Sequence, residues 1–304
     1  MPDLILHHYD ASPYSEKIRL LLGYKQLTWH SVQMPPVLPK PDLMKLTHGY
    51  RRAPVLQIGA DLFCDSSLIA QELEQRFPTP ALASGAPAAQ AALLSQLVDV
   101  TLFWQGIHLL MGKRAAQIPQ ALLDDRIRMH PQMDLDRDHL AANVPHLSSQ
   151  LTPVLSMLDQ ALSASPWLGG DLPAIGDFGV YQLCWFLHKA GWLDELLPAA
   201  RHLPDWMARM AAWGQGQRSE LTADAALAIA LAATPQALPT GGDEGELRIG
   251  NMVSVMPEHY PQEAVQGQLR YLDTQRVTLQ LEHTDTGILH IHFPRLGYQI
   301  QSQA

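Results

Sequence analysis

Leu4-Ile5-Leu6-His7-His8-Tyr9-Asp10-Ala11-Ser12-Pro13-Tyr14-Ser15-Glu16-Lys17-Ile18-Arg19-Leu20-Leu21-Leu22 changes its period at Ser12. Residues 4–8 read as a short apolar strand, and 14–23 follow with helical spacing. Small hydroxyl side chains mark the junction. Free backbone N–H groups and the helix dipole favour negative charge there. The pattern continues outward. Residues 27–33 read as a second strand, and Pro35, Pro36, Pro39 and Pro41 mark a loop. A short helix is expected at 42–47, a strand at 54–58, a turn at 59–61 and a strand at 62–64. A helix at 66–77 starts from Ser66 or Ser67 as cap. The order βαβα-ββα describes a small mixed sheet with helices on both faces.

Residues 79–90 are small and Pro-containing and read as a linker. Residues 91–233 lack strand-like alternation. Leu97, Val100, Trp104, Ile107 and Met111 step by three and four, predicting an amphipathic helix with these residues on its core face. Further helices are expected at 119–129, 139–164, 178–190 and 204–214. A second linker, 235–245, precedes alternating segments at 252–255, 268–272, 276–282, 288–293 and 298–301, which predict a small barrel or curled sheet. The expected architecture is an α/β domain over 1–80, an all-α domain over 91–233, and a small all-β, barrel-like domain over 246–304.

The chain has 304 residues, 47% hydrophobic content and a formal net charge of −9. Its length predicts two or three domains, and its charge disfavours a nucleic-acid-binding surface. Cys64 and Cys184 are the only cysteines, so neither a disulfide framework nor a cysteine-rich zinc site is expected, and a reducing compartment fits. Met1-Pro2-Asp3 opens without a basic, then apolar, leader. No uninterrupted apolar run reaches about 18 residues. The expectation is a soluble, cytoplasmic protein without membrane association. His290 and His292 share one strand face but have no third ligand nearby, so no metal site is expected.

Ser12-Pro13-Tyr14-Ser15 has the layout of a thioredoxin-type Cys-Pro-Tyr-Cys site with both cysteines replaced by serine, which assigns the thiolate to a ligand. Residues 1–230 resemble the cytosolic glutathione transferase family. Four motifs carry the resemblance: Ser12-Pro13-Tyr14-Ser15 with Lys17-Ile18-Arg19, similar to the tau and omega sites; Arg52-Ala53-Pro54-Val55-Leu56; Asp65-Ser66 before a helix; and Pro173-Ala174-Ile175-Gly176-Asp177-Phe178. The resemblance implies a thioredoxin-like first domain, a helical second domain, a cis proline at Pro54, glutathione as co-substrate and a homodimer.

It also implies site residues. Ser12 would hydrogen-bond the sulfur, with His8, Tyr9 and Ser15 as alternatives; Ser15 also reads as the helix cap. Arg52, Ala53, Pro54, Asp65 and Ser66 would bind glutathione. Asp65 would pair its α-ammonium, Ser66 its γ-glutamyl carboxylate, Arg52 a carboxylate or peptide oxygen, and Ala53 its backbone. Tyr14, Trp104 and His108 would line the pocket of a small hydrophobic electrophile. Lys40 and Lys45 lie where the resemblance implies, for some classes, a lysine on the glycine carboxylate, but a solvated lysine is the favoured reading of both. Asp65 is one methylene shorter than the usual glutamate and suits helix capping as well. Ala174 replaces a capping Ser or Thr, which costs about 1 kcal/mol unless Asp177 compensates. The expected function is conjugation of glutathione to an electrophile, or peroxide reduction, in detoxification. The rival is a non-catalytic binding or interaction module, towards which the residues after 246 lean.

Overall fold

The computed structural model describes residues 3–258 and 264–303. Along the chain run β1 (Leu4–His8), α1 (Pro13–Tyr24), β2 (Thr28–Gln33), α2 (Pro41–Thr47), β3 (Val55–Ile58), β4 (Asp61–Cys64) and α3 (Ser66–Arg76). The helical stretch comprises α4 (Gly85–Leu97), α5 (Phe103–Lys113), α6 (Gln120–Met129), α7 (Arg137–Ala142), α8 (Val144–Ala161), α9 (Ile175–Lys189), α10 (Leu193–Leu196) and α11 (Leu203–Ala211). Then come β5 (Gln217–Glu220), α12 (Ala223–Ala232), β6 (Met252–Pro257), β7 (Val265–Leu272), β8 (Arg276–His283), β9 (Gly287–Pro294) and β10 (Tyr298–Ser302). Two compact units result: Met1–Ser15, Thr28–Glu72 and Gln217–Ala304 form the first; Glu16–Leu27 and Leu73–Gly216 form the second.

The first unit carries one sheet in the order β10-β6-β7-β8-β9-β4-β3-β1-β2-β5. β1 runs parallel to β2 and antiparallel to β3, which is antiparallel to β4. The C-terminal strands β6 to β9 form an antiparallel meander. They do not close among themselves, because β9 pairs in parallel with β4, Asp61 opposite His290 and Phe63 opposite His292. One apolar cluster spans that seam, from Val55, Leu62 and Cys64 to Leu279, Ile291 and Phe293. β10 pairs with β6, yet only Arg295, Leu296 and Gly297 separate it from β9. That connection spans at most about 14 Å. Four strand spacings in a flat sheet are about 19 Å. The meander is therefore curled, and β10 begins beside the end of β9. Gly297, at φ 80°, makes the reversal.

β5 departs from the expectation that 91–233 holds no strand. Gln217-Arg218-Ser219-Glu220 is wholly polar, so it carries no alternation signal, and its order comes from parallel pairing with β2. The linker expected at 79–90 is shorter. Helix α4 starts at Gly85, because its alanines are strong helix formers as well as small.

In the second unit α9 is buried on all sides of its middle turns. Its Gly176 and Gly179 meet α4 so closely that an added Cβ would collide with Ala91 and Ser95. Asp177 is buried and accepts from Leu168 N (2.8 Å), Gly169 N (3.1 Å), Ala174 N (2.9 Å) and Trp206 Nε1 (3.1 Å). Its reach back to Ala174 N supplies half of a capping box, the compensation that alanine at this position requires. Between α4 and α5, residues 98–102 widen into a π turn. The extra residue rotates the following helix face. Ala91, Ser95, Val98, Leu102 and Leu109 are therefore buried, whereas Leu97 and Val100, expected on the core face, are 48% and 54% exposed. The run 85–113 is long and apolar enough by composition to cross a membrane, and its Ala91 and Ser95 pack on α9. Lys17 and Arg19 are also structural: Lys17 Nζ lies 3.7 Å from Asp99, and Arg19 grips Glu16 at 2.6 Å.

Candidate functional site

Strand register gathers the site. His7 stands opposite Val55, and Val55 opposite Cys64. The outgoing end of β1, the incoming end of β3 and the outgoing end of β4 therefore meet at one edge of the sheet. Ser12 follows the first, Ala53-Pro54 precedes the second and Asp65-Ser66 follows the third. β9 runs parallel to β4 and delivers Tyr298 to the same edge. Helix α1 begins there, as does α3, so two sets of free N–H groups face one region.

Ser12 is buried and acts as N-cap of α1, its Oγ accepting from Ser15 N at 3.2 Å. Its hydroxyl hydrogen is not used in that bond. Ser15, rather than being the cap, has a buried Oγ without a hydrogen-bond partner. Tyr14 is half-buried on the first turn of α1. His8 is fully buried, its Nε2 3.0 Å from Ser31 Oγ, with its ring edge-on to Trp29. The Ala53–Pro54 bond is cis.

Asp65 occupies a left-handed conformation, φ 78°, which an aspartate tolerates better than most residues. Its Oδ1 accepts from Ser67 N at 2.8 Å and Ser67 Oγ at 2.6 Å. Asp65 is thus the cap of α3, in place of the expected Ser66 or Ser67. Its Oδ2 accepts from Tyr298 Oη at 3.3 Å. Ser66 is buried on the first turn of the helix. Tyr50 Oη lies 3.2 Å from Tyr298 Oη, and both rings lean on Phe293. Burial pushes both phenols well above their usual range, so each remains an O–H donor. Arg52 stands within electrostatic reach of both hydroxyls. Burial, with Asp65 nearby, likewise raises the Cys64 thiol. It remains protonated at neutral pH.

Lys40 is the main surprise in this region. It is buried, its Nζ donates to Arg51 O at 2.9 Å, and it sits 5.6 Å from the centre of the Tyr9 ring. The solvated reading holds for Lys45 alone, which is exposed. Lys40 thus places a second cation on the Arg52-Ala53 segment. Tyr50 and Tyr298 were also missed, and nothing local in the sequence marks them.

Trp104 and His108 lie four residues apart on α5, within the second unit, and share one face of that helix. The Trp104 ring meets His130 edge-on at 4.4 Å. Burial, then His139, lowers the pKa of His108, so its imidazole is neutral at neutral pH. His290 and His292 face Asp61: His292 Nε2 is 3.0 Å and His290 Nδ1 3.6 Å from Asp61 Oδ1. Among the described residues no group of three or more His, Cys, Asp or Glu side chains has metal-holding geometry. A cavity of about 660 Å³ lies beneath residues 235–243, beside Ile249, Arg270 and His290. It shares no residue with the Ser12–Asp65 edge.

Residues 6–81 match the family model described as the N-terminal domain of glutathione S-transferase. No curated protein matches the chain. Among solved structures, a GST-like protein from Pseudomonas syringae is 32% identical, with all of each chain covered and a TM-score of 0.77. A theta class glutathione S-transferase from Xanthomonas axonopodis pv. citri with glutathione bound is 21% identical, covering 71% of this chain and 98% of its own, TM-score 0.53. A tau class glutathione S-transferase from mango, Mangifera indica, is 18% identical over 69% of this chain and 89% of its own, TM-score 0.50. These last two share the fold.

Proposed function

The chain belongs to the GST-like proteins of the glutathione S-transferase family, and on that premise we propose that it binds glutathione at the Ser12–Asp65 edge and conjugates its thiolate to a small hydrophobic electrophile, whose leaving group is expelled. The observation that carries this reading is the hydroxyl of Ser12, buried at the N-terminus of α1 with its hydrogen free of the capping bond. A donor and a helix dipole at one point favour thiolate over thiol. Asp65 takes the α-ammonium, the Ser66 N–H and hydroxyl the γ-glutamyl carboxylate, and the Ala53 backbone the cysteinyl unit. Arg52 and the buried Lys40 supply charge for the remaining carboxylate. The thiolate attacks an electrophilic carbon or a peroxide oxygen, and no group of the chain has to become covalently bonded. Tyr14, Trp104 and His108 are the candidates for contact with the electrophile.

Calorimetric titration of the purified chain with glutathione tests the reading. Binding at micromolar to millimolar concentration and turnover of a model aryl halide are the expected results; absence of binding at about 10 mM glutathione removes it. A second reading, a binding module without catalysis, has one observation in its favour: the strands β6 to β10 extend the sheet of the first unit. Binding without turnover selects that reading.

The protein is further proposed to be a cytoplasmic homodimer with a curled, barrel-like C-terminal lobe, acting in detoxification. Support for the second copy comes from Leu93, Leu97 and Val100, which are 71%, 48% and 54% exposed in one row of the helical run 85–113. Such a row is costly to leave in water. Sedimentation equilibrium is expected to give twice the chain mass, and Leu97→Glu to give the monomer; a monomeric parent chain removes the dimer.

A further inference from the structure

The geometry points to Tyr298 as a positioning residue of the glutathione site, through which the C-terminal strands help to read the α-ammonium of a γ-glutamyl thiol. This inference rests on the proposed glutathione binding and extends it to a segment that lies beyond residues 1–230. Asp65 is the only carboxylate assigned to that ammonium. Its Oδ1 is fixed by Ser67, and its Oδ2 by the hydroxyl of Tyr298. The carboxylate plane is therefore held from both sides before a ligand arrives.

Tyr298 is itself held. Its ring packs on Phe293 at 5.6 Å between centroids, its hydroxyl meets that of Tyr50, and its backbone sits in register with Pro257 of β6. The parallel β4–β9 pairing and the three-residue connection to β10 bring it to Asp65. A carboxylate oxygen has more than one lone pair, so the Tyr298 bond leaves room for an incoming N–H donor. Ordering the acceptor beforehand lowers the entropic cost of binding. The predicted ligand class is a thiol carrying a γ-glutamyl group with a free α-ammonium.

The test is calorimetry on the full chain with two probes, glutathione and its analogue lacking the α-amino group. Tyr298→Phe keeps the ring packing and is expected to weaken glutathione about fivefold while leaving the analogue unchanged. In an Asp65→Asn background the same substitution is expected to have no further effect, the signature of action through Asp65. Equal weakening of both probes, or an undiminished effect in the Asp65→Asn background, overturns the assignment. Tyr50→Phe leaves the Tyr298–Asp65 bond in place and is expected to change glutathione affinity less than about twofold. A loss as large as that of Tyr298→Phe also overturns it. If the parent chain binds neither probe, glutathione recognition itself fails and the inference falls with it, a result distinct from the others.

Discussion

Ser12→Ala is expected to lower kcat/KM for glutathione conjugation by about 10²-fold, the usual scale for removing one donor from a developing or resident anion. The substitution deletes two bonds at once. One is the donor to the sulfur; the other is the cap accepted from Ser15 N, worth about 1 kcal/mol of stability. Ser12→Gly separates them, because glycine caps nearly as well as serine and donates nothing. Both variants should show the same loss at neutral pH, with only the alanine variant less stable to heat. The pH profile gives a sharper signature. Without the donor the bound thiol ionises at higher pH, so the rate deficit should narrow as pH rises. Unchanged turnover in Ser12→Gly would falsify the role of Ser12 and direct attention to Ser15.

A second large effect is expected at Asp61, which joins the two halves of the sheet. The residue is 1% exposed. Its carboxylate accepts from His292 Nε2 at 3.0 Å and Gln236 N at 2.9 Å, with His290 alongside. Burial opposes its charge, but His290 alongside and the hydrogen bonds from His292 and Gln236 N outweigh burial and hold its pKa down to about 2. His292 is kept neutral by burial. The carboxylate can only accept, so His292 donates through Nε2–H, and its Nδ1 accepts from Thr278 Oγ1 at 2.8 Å. Asp61→Asn removes the charge and an acceptor from this chain of bonds and should cost about 3 kcal/mol at pH 7.

The pH dependence follows in sign. A carboxyl whose pKa is about 2 in the folded state and 3.8 as its reference value stabilises fully above 3.8 and loses that contribution as pH falls towards 2. The contribution is about 2 kcal/mol. His292 is lowered by burial, and His7 is held to about 4 by burial despite its bond to Gln57. Both favour the folded state when neutral, so their contributions decline below pH 6.5. Denaturant midpoints should therefore fall from pH 6.5 downwards in the parent chain. The gap between parent and Asp61→Asn should close only below pH 3.8. A gap that stays constant down to pH 2 would show that Asp61 is not held as an ion.

The elements read from periodicity match the structure where side chains carried a period. β1, β2, α3 and the five C-terminal strands lie close to their expected places, since each alternates or steps against a core. β5 has no period to read, because it is wholly polar and is ordered by the backbone of β2 and by polar contacts such as Ser219 with His30 and Arg218 with Asp10. The stripe through Leu97 and Val100 was misassigned for a different reason. A regular helix was assumed across 98–102, where a π turn inserts a residue. In the candidate site, Ser12, Pro54, Asp65 and Ser66 were legible as local motifs at strand ends. Lys40 was not, because a lysine beside a proline-rich loop gives no sign of burial. Tyr298 was not, because its bond to Asp65 joins residues 233 apart, and only the parallel β4–β9 pairing brings them together.

That same pairing orders events during synthesis. The sheet draws four strands from before the helical stretch 73–216 and six from after it. While the ribosome makes residues 73–286, β4 is an open edge with unpaired N–H and C=O groups. Its neighbour β9 is made only after the helical unit. Apart from residues 16–27, that unit is built from contacts within its own stretch and can form before the edge is covered. A nascent chain of this protein thus carries an adhesive strand until residues 287–294 pair with it.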